Sequence, residues 1–155
     1  MKKQLSKSEI KELNEKIKDG FGIGDFFGKK EKVEIVEDEY KLIVKDGEAL
    51  FVYHEERIMP TLRMLLKKDL LKKVVVDMGA VKFVSSGADI MRPGINEIEE
   101  GASKDEFAVI VDETHGKPLA VGILMHDGEE IMLMESGKAV KNIHYIGDKI
   151  WSIKF

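Results

Sequence analysis

The sequence predicts an α+β fold, an N-terminal α+β half followed by a β-rich half. Three observations carry this. Apolar residues recur at helical spacing behind a capping sequence near the N-terminus. Two alternating apolar stretches lead through Asp46-Gly47 into a third. After residue 74, short apolar runs are broken by nine of the chain's 14 glycines.

The first helix is expected over residues 6–19: Ser6-Lys-Ser-Glu9 offers a capping box, and Ile10, Leu13 and Ile17 repeat at helical spacing before Gly20. Residues 20–28 mix four glycines with three phenylalanines in neither regular period, which predicts a loop with buried anchors. Lys32–Glu37 and Tyr40–Lys45 alternate as strands do. Asp46-Gly47 then turns the chain into Ala49–Tyr53, completing an antiparallel meander. Pro60 is expected to open a second helix, with Leu62, Leu65, Leu66 and Leu70 as its apolar stripe. Arg63, Lys67, Lys68, Lys72 and Lys73 would form its basic face and end.

The domain boundary is placed near Lys72, giving residues 1–72 and 73–155. No Pro/Ser-rich spacer separates the halves, so they are expected to pack together. The second half opens on the strand Val74-Val-Val76. A short helix over residues 79–86 follows, then strands near Ile90–Met91, Phe107–Val111, Leu119–Met125, Glu130–Met134 and Lys149–Phe155.

With 43% hydrophobic and 35% charged residues, the chain has the composition of a globular protein with a sizeable core. Its N-terminus shows no apolar signal-type segment and its apolar runs are too short to span a bilayer, so a cytoplasmic location is expected. The absence of cysteine excludes disulfides, thiolate metal sites and a cysteine nucleophile. His54, His115, His126 and His144 lack metal-ligand spacing. Walker A, G-x-S-x-G and dinucleotide fingerprints are missing, and Gly20-Phe-Gly-Ile-Gly24 has neither the spacing nor the preceding strand of the last. No cofactor and no catalysis are expected. The net charge of -4 divides unevenly: residues 1–73 hold 17 basic and 15 acidic residues, and residues 74–155 hold 8 and 14. Any contact with a polyanion is therefore local, with basic residues of the first half sharing the phosphate work.

Four segments of the second half occur in a recognisable order. They are Gly79–Ile95, rich in small residues and turn formers; Lys117-Pro-Leu-Ala-Val-Gly-Ile-Leu-Met125; Glu135-Ser-Gly-Lys-Ala-Val140; and His144-Tyr-Ile-Gly-Asp-Lys-Ile-Trp151. Together they resemble the signature of the PUA domain, an RNA-binding module with a β pseudo-barrel fold. The preceding α+β half resembles the pre-PUA domain of archaeal two-domain proteins and of the malignant T-cell-amplified re-initiation and recycling factor.

The resemblance places Gly87, Ala88, Asp89, Met91, Arg92, Pro93, Gly94 and the turn carrying Lys138 beside an RNA groove. Arg92 would make paired hydrogen bonds to phosphate. Lys82, Ser85, Ser86 and His144 join the candidate contacts. Each also has a plain reading: Lys82 as solvated charge, the serines as helix-end residues, Asp89 as a turn stabiliser, and His144 as a satisfied structural histidine. Gly79, Gly87, Ala88 and Gly94 matter through backbone geometry. Trp151 and Phe155 are expected to fill the barrel.

The function implied is non-catalytic binding of structured RNA, tRNA or rRNA. The acceptor stem and 3′ end of tRNA are the foremost target, in translation initiation or recycling at the small ribosomal subunit. Two alternatives stand beside it. One is a scaffold that docks a protein, such as a translation-factor partner, through the Pro60 helix or the Phe26-Phe27 loop. The other is an accessory subunit delivering RNA to a modification enzyme.

Overall fold

The computed structural model describes all 155 residues. They form two compact units, Met1–Leu70 together with Ile153–Phe155, and Leu71–Ser152. No helix is long and apolar enough to cross a membrane.

The first unit is an antiparallel sheet carrying two helices. Its elements are β1 (Lys2–Gln4), α1 (Lys7–Phe21), β2 (Glu34–Glu37), β3 (Lys41–Lys45), β4 (Glu48–His54), β5 (Arg57–Pro60) and α2 (Leu62–Leu65), and the five strands lie in chain order. The capping box closes as its spacing predicts: Ser6 Oγ accepts from Glu9 N at 3.2 Å, and Glu9 Oε1 accepts from Ser6 N at 3.0 Å. The Lys3 ammonium and the Ser6 amide hold the Glu9 carboxyl at about 2. Ile10, Leu13 and Ile17 are buried as one stripe. The helix ends at Gly22, whose φ of 75° and N–H bond to the Lys18 carbonyl make the cap, two residues past the expected Gly20.

Phe51 on β4 is wholly buried, with the rings of Phe21, Phe26 and Phe27 at 6.2, 5.4 and 6.2 Å. The loop with buried anchors is thus seated on the sheet. Asn14, midway along α1, holds it there: Nδ2 donates to Phe27 O at 2.8 Å and Oδ1 accepts from Phe27 N at 2.9 Å. Phe27 is core and Phe26 is half-buried against Phe51, so the two rings on which the scaffold alternative relied are largely engaged within this unit.

Pro60 does not open a helix. It ends β5, opposite Phe51 on an edge strand where its missing N–H is tolerated. Thr61 is the cap instead, accepting from Met64 N and donating to Ala49 O at 2.7 Å. The helix has four residues, so the expected basic face never forms: Lys67 pairs with Glu48, while Lys72 lies on a strand and pairs with Glu106.

The second unit is a nearly closed six-stranded pseudo-barrel. It comprises β6 (Lys72–Val76), α3 (Met78–Val84), β7 (Ile90–Met91), a 3-10 turn (Arg92–Gly94), β8 (Ile95–Ile98), β9 (Phe107–Asp112), β10 (Pro118–Leu124), α4 (Gly128–Leu133), β11 (Lys138–Tyr145) and α5 (Lys149–Ser152). Strand order is β7-β11-β10-β9-β6-β8, with β6 and β9 parallel and the other pairs antiparallel. Every residue of β9 is buried, as a central strand covered on both faces requires. The core gathers Val74, Val76, Ile90, Ile95, Ile110, Leu124, Ile131 and Val140. At the bulge in β10, a Cβ on Gly122 would lie 2.5 Å from Val140 Cγ1 and 2.7 Å from Lys141 O, so only glycine lets β11 approach there.

Two expected strands are helical. Residues 130–133 fall in α4, which begins after Asp127 with Glu129 and Glu130 in its first turn, favourable charges at a helix start. Residues 149–152 form α5 because Asp148 Oδ1 accepts the Trp151 N–H at 2.8 Å. The rest, Ile153–Phe155, is irregular, Trp151 is partly exposed and Phe155 is 49% exposed, so neither ring fills the barrel as expected. The strands β1, β5, β8 and β11 were not legible from alternation.

Replacing Phe51 with alanine removes the ring on which the loop is seated. Urea denaturation of this variant is expected to show a loss of about 3–5 kcal/mol.

Candidate nucleic-acid interface

The candidate interface forms where α3, β7 and the start of β11 meet in the second unit. Asp77 Oδ1 caps α3 by accepting from Ala80 N at 2.8 Å, and Asp77 N donates to Gly94 O at 2.9 Å, joining the helix start to the 3-10 turn. Glu113 accepts from Met78 N and from the Asn96 side chain, a second tie at the same end.

At the other end, Gly87 N donates to Val84 O and Ala88 N to Phe83 O, both at 3.1 Å, the two bonds of a Schellman ending. Gly87 has φ +94°, and a Cβ there would stand 2.7 Å from Tyr145 Cε1. Glycine is required twice over, by conformation and by space.

Asn142 on β11 then locks this ending to the barrel. Its Nδ2 donates to Val84 O at 3.1 Å and Ala88 O at 3.0 Å, and its N–H donates to Asp89 Oδ1 at 3.0 Å. Asp89 Oδ2 pairs with Lys138 Nζ at 3.2 Å. The Asn142 amide first, and then Lys138, hold the Asp89 carboxyl below its ordinary range.

These ties frame a cleft of about 630 Å³. Of the residues expected from sequence, Ala88, Asp89, Met91, Pro93, Gly94 and Lys138 line it. Asp77, Gly79, Ala80, Phe83, Val84 and Ile90 complete the wall. Its character is apolar with one polar rim: Phe83 is 59% and Met91 47% exposed, while the Asp89–Lys138 pair stands at one side. Phe83 is the principal residue that sequence reasoning missed as a contact. The available signal was its place four residues after Gly79, which puts ring and small residue on one helical face.

The remaining expected residues lie outside the cleft. Ser86 Oγ donates back to Phe83 O at 2.9 Å, the plain helix-end reading, and Ser85 is an exposed neighbour. Lys82 is exposed, its Nζ 5.8 Å from the Phe83 ring centre. Arg92 turns inward: Nη1 donates to Ile95 O at 2.9 Å and Nη2 reaches Met132 O at 3.4 Å. Its guanidinium therefore braces the turn below the cleft instead of presenting paired donors to phosphate. His144 is corrected outright. It is fully buried, with Nδ1 2.8 Å from Asp148 Oδ2, so it cannot stack on RNA. Burial pushes the Asp148 carboxyl up, but His144 and the Trp151 and Tyr145 amides outweigh it and leave the group below its ordinary value.

Two outcomes are expected. Gly87→Ala should cost about 1–3 kcal/mol in denaturant unfolding, from strained φ and the Tyr145 contact together. For Asp89 the lowered folded value means the unfolded chain takes up the proton first as pH falls. Its contribution is complete above about pH 3.9 and is lost below it. The difference in melting temperature between wild type and Asp89→Asn should be open at pH 7 and close towards pH 2.

Comparison with known proteins gives this geometry its context. Residues 72–146 match the PUA domain, and residues 2–68 match a domain of unknown function, DUF1947. An uncharacterized protein of Methanocaldococcus jannaschii is 40% identical over 97% of this chain and 94% of its own length. Translation machinery-associated protein 20 of Saccharomyces cerevisiae is 35% identical over 84% of this chain and 77% of its own. Malignant T-cell-amplified sequence 1-A of Xenopus laevis is 34% identical over 97% and 90%. Among solved structures, a hypothetical protein of Pyrococcus horikoshii OT3 superposes with a TM-score of 0.82 at 34% identity, over 97% of this chain and 98% of its own. With both halves matched in order and relatives aligned along nearly the whole chain, this protein belongs to the two-domain PUA family that includes translation machinery-associated protein 20 and malignant T-cell-amplified sequence 1.

Proposed function

We propose that the chain is a non-catalytic RNA-binding protein of the translation apparatus, and that its cleft receives the unpaired 3′ end of tRNA next to the acceptor stem. The observation that carries this reading is the cleft's composition. Phe83 and Met91 expose flat apolar surface between small residues, and a single ammonium, Lys138, stands at the rim. A duplex offers no free base faces, whereas an unpaired end does, and each stacked base contributes about 1–3 kcal/mol. The Asp89–Lys138 pair adds hydrogen-bonding groups where a base edge or ribose would sit. The yeast relative, translation machinery-associated protein 20, supports placement in translation.

The scaffold alternative is less favoured, since Phe27 is buried against Phe51 and α2 is a single turn. The test is equilibrium binding to bulk tRNA, intact or with the 3′ CCA removed, across a salt series. Intact tRNA should bind more tightly, and Phe83→Ala should weaken it by about 5- to 150-fold, the equivalent of one stacked base. Lys138→Glu should weaken binding and flatten its salt dependence. Equal affinity for intact and trimmed tRNA would remove the 3′ end from this reading, and no binding at low salt would end it.

A further inference from the structure

The proposed RNA cleft leaves an electrostatic question open. It presents one lysine, already paired with Asp89, in a chain of net charge -4, yet capture of a polyanion needs several phosphate contacts. The first unit contains a surface of the required kind. Lys7, Lys11, Asn14 and Lys18 follow one another at intervals of three or four residues along α1, so they fall within about 60° of one another around the helix. The stripe runs about 16 Å, at about 1.5 Å per residue. It lies about 100° around the helix from the buried stripe of Ile10, Leu13 and Ile17, on the edge that faces the Gly24–Lys29 loop. Between helix and loop is a groove of about 850 Å³, and Lys29 supplies a fourth ammonium from the loop side.

Three features separate this groove from ordinary solvated charge. Lys7, Lys11, Lys18 and Lys29 have no carboxylate partner, which is also true of Lys16, Lys30, Lys32, Lys41 and Lys68 in the same unit; what sets the four apart is that they converge on one groove. Glu15 and Asp25 are the acids in the lining, leaving it with two positive charges in excess. Second, the N-terminal half of the stripe does not serve the helix, although Lys18, in the last turn, does. Lys7 occupies the first turn, where the helix dipole disfavours a cation, and Lys7 and Lys11 repel as an i,i+4 pair. Third, the groove is preformed, because Asn14 on the stripe grips both backbone groups of Phe27 and holds the loop opposite the helix.

We infer that this lysine-lined groove is a second RNA contact, holding the phosphate backbone of one strand independently of base identity. The stripe, about 16 Å long, can face several successive phosphates of one strand. The inference rests on the RNA-binding reading above, and the experiment separates the two. Full-length protein with Lys7, Lys11, Lys18 and Lys29 all replaced by glutamine is titrated with bulk tRNA over a salt series. A control replaces Lys2, Lys32, Lys67 and Lys68, exposed residues outside the groove. The groove variant should lose about 3 from the slope of log affinity against log salt, at about 0.7–0.9 per phosphate contact, and the control should lose less than about 1. The preference for an intact CCA end should survive in the groove variant, because the cleft is untouched. Equal slopes for groove variant and control would overturn the inference while leaving the cleft reading intact. If the wild type fails to bind tRNA, both fall. Lysine acetylation of the wild type gives a second readout that needs no variant: tRNA should protect Lys7, Lys11, Lys18 and Lys29, and unchanged labelling there would overturn the groove. Tighter, lysine-dependent binding of polyglutamate than of tRNA would assign the groove to an acidic protein and also overturn it.

Discussion

The functional end of the second unit hangs on one side chain, Asn142. Its amide nitrogen reaches the carbonyls of Val84 and Ala88, and its backbone N–H reaches Asp89, so a strand of the barrel directly satisfies the end of α3 and the turn that follows. Buried or half-buried backbone groups left without partners are costly, and this segment, between helix and two-residue strand, has few partners of its own. Asn142 supplies them. One side of the cleft inherits its position from this lock: Phe83 precedes the locked ending, Ala88 and Asp89 are held directly, and Met91 follows in β7.

The first unit uses the same device with different material. Asn14 takes both backbone groups of Phe27 as Asn142 takes those of the α3 ending, and in each case an amide side chain fixes an irregular glycine-bearing segment to a regular element. The difference lies in what the segment carries. Around Gly20–Gly28 it carries rings into the core around Phe51, so the exposed result is a charged groove; around Gly87 it turns a ring and a thioether outward, so the exposed result is an apolar cleft. For an RNA-binding chain these are complementary capacities, attraction to backbone and stacking on bases.

Arg92 illustrates how charge misleads when read from sequence. Beside Pro93-Gly94 a guanidinium looks available for phosphate, but this five-donor side chain is used inside the protein, on the carbonyls of Ile95 at the start of β8 and Met132 in α4. His144 is parallel: its pairing with Asp148 supports the cap of α5 and the close of β11 from inside the barrel. In both places a polar residue was legible and its partner was not, because the partner comes from the three-dimensional turn or from a group whose direction the sequence does not state.

Local patterns by themselves determined the α+β character, the capping box of α1 with its buried stripe, the meander through Asp46-Gly47, and the ordered segments that mark the PUA domain. Each rests on interactions among residues a few positions apart, where spacing and geometry are the same information. Tertiary structure decided the rest. Glu130–Leu133 and Lys149–Ser152 became helices because first-turn charges in one and the Asp148 cap in the other outweigh a short alternating pattern. Pro60 became the end of an edge strand because its neighbour is Phe51, nine residues back. Phe83 became a cleft wall because Asn142, 58 residues beyond Val84, sets the direction in which α3 ends. Contacts across such separations depend on which surfaces the folded sheets bring together, and no spacing along the chain encodes that.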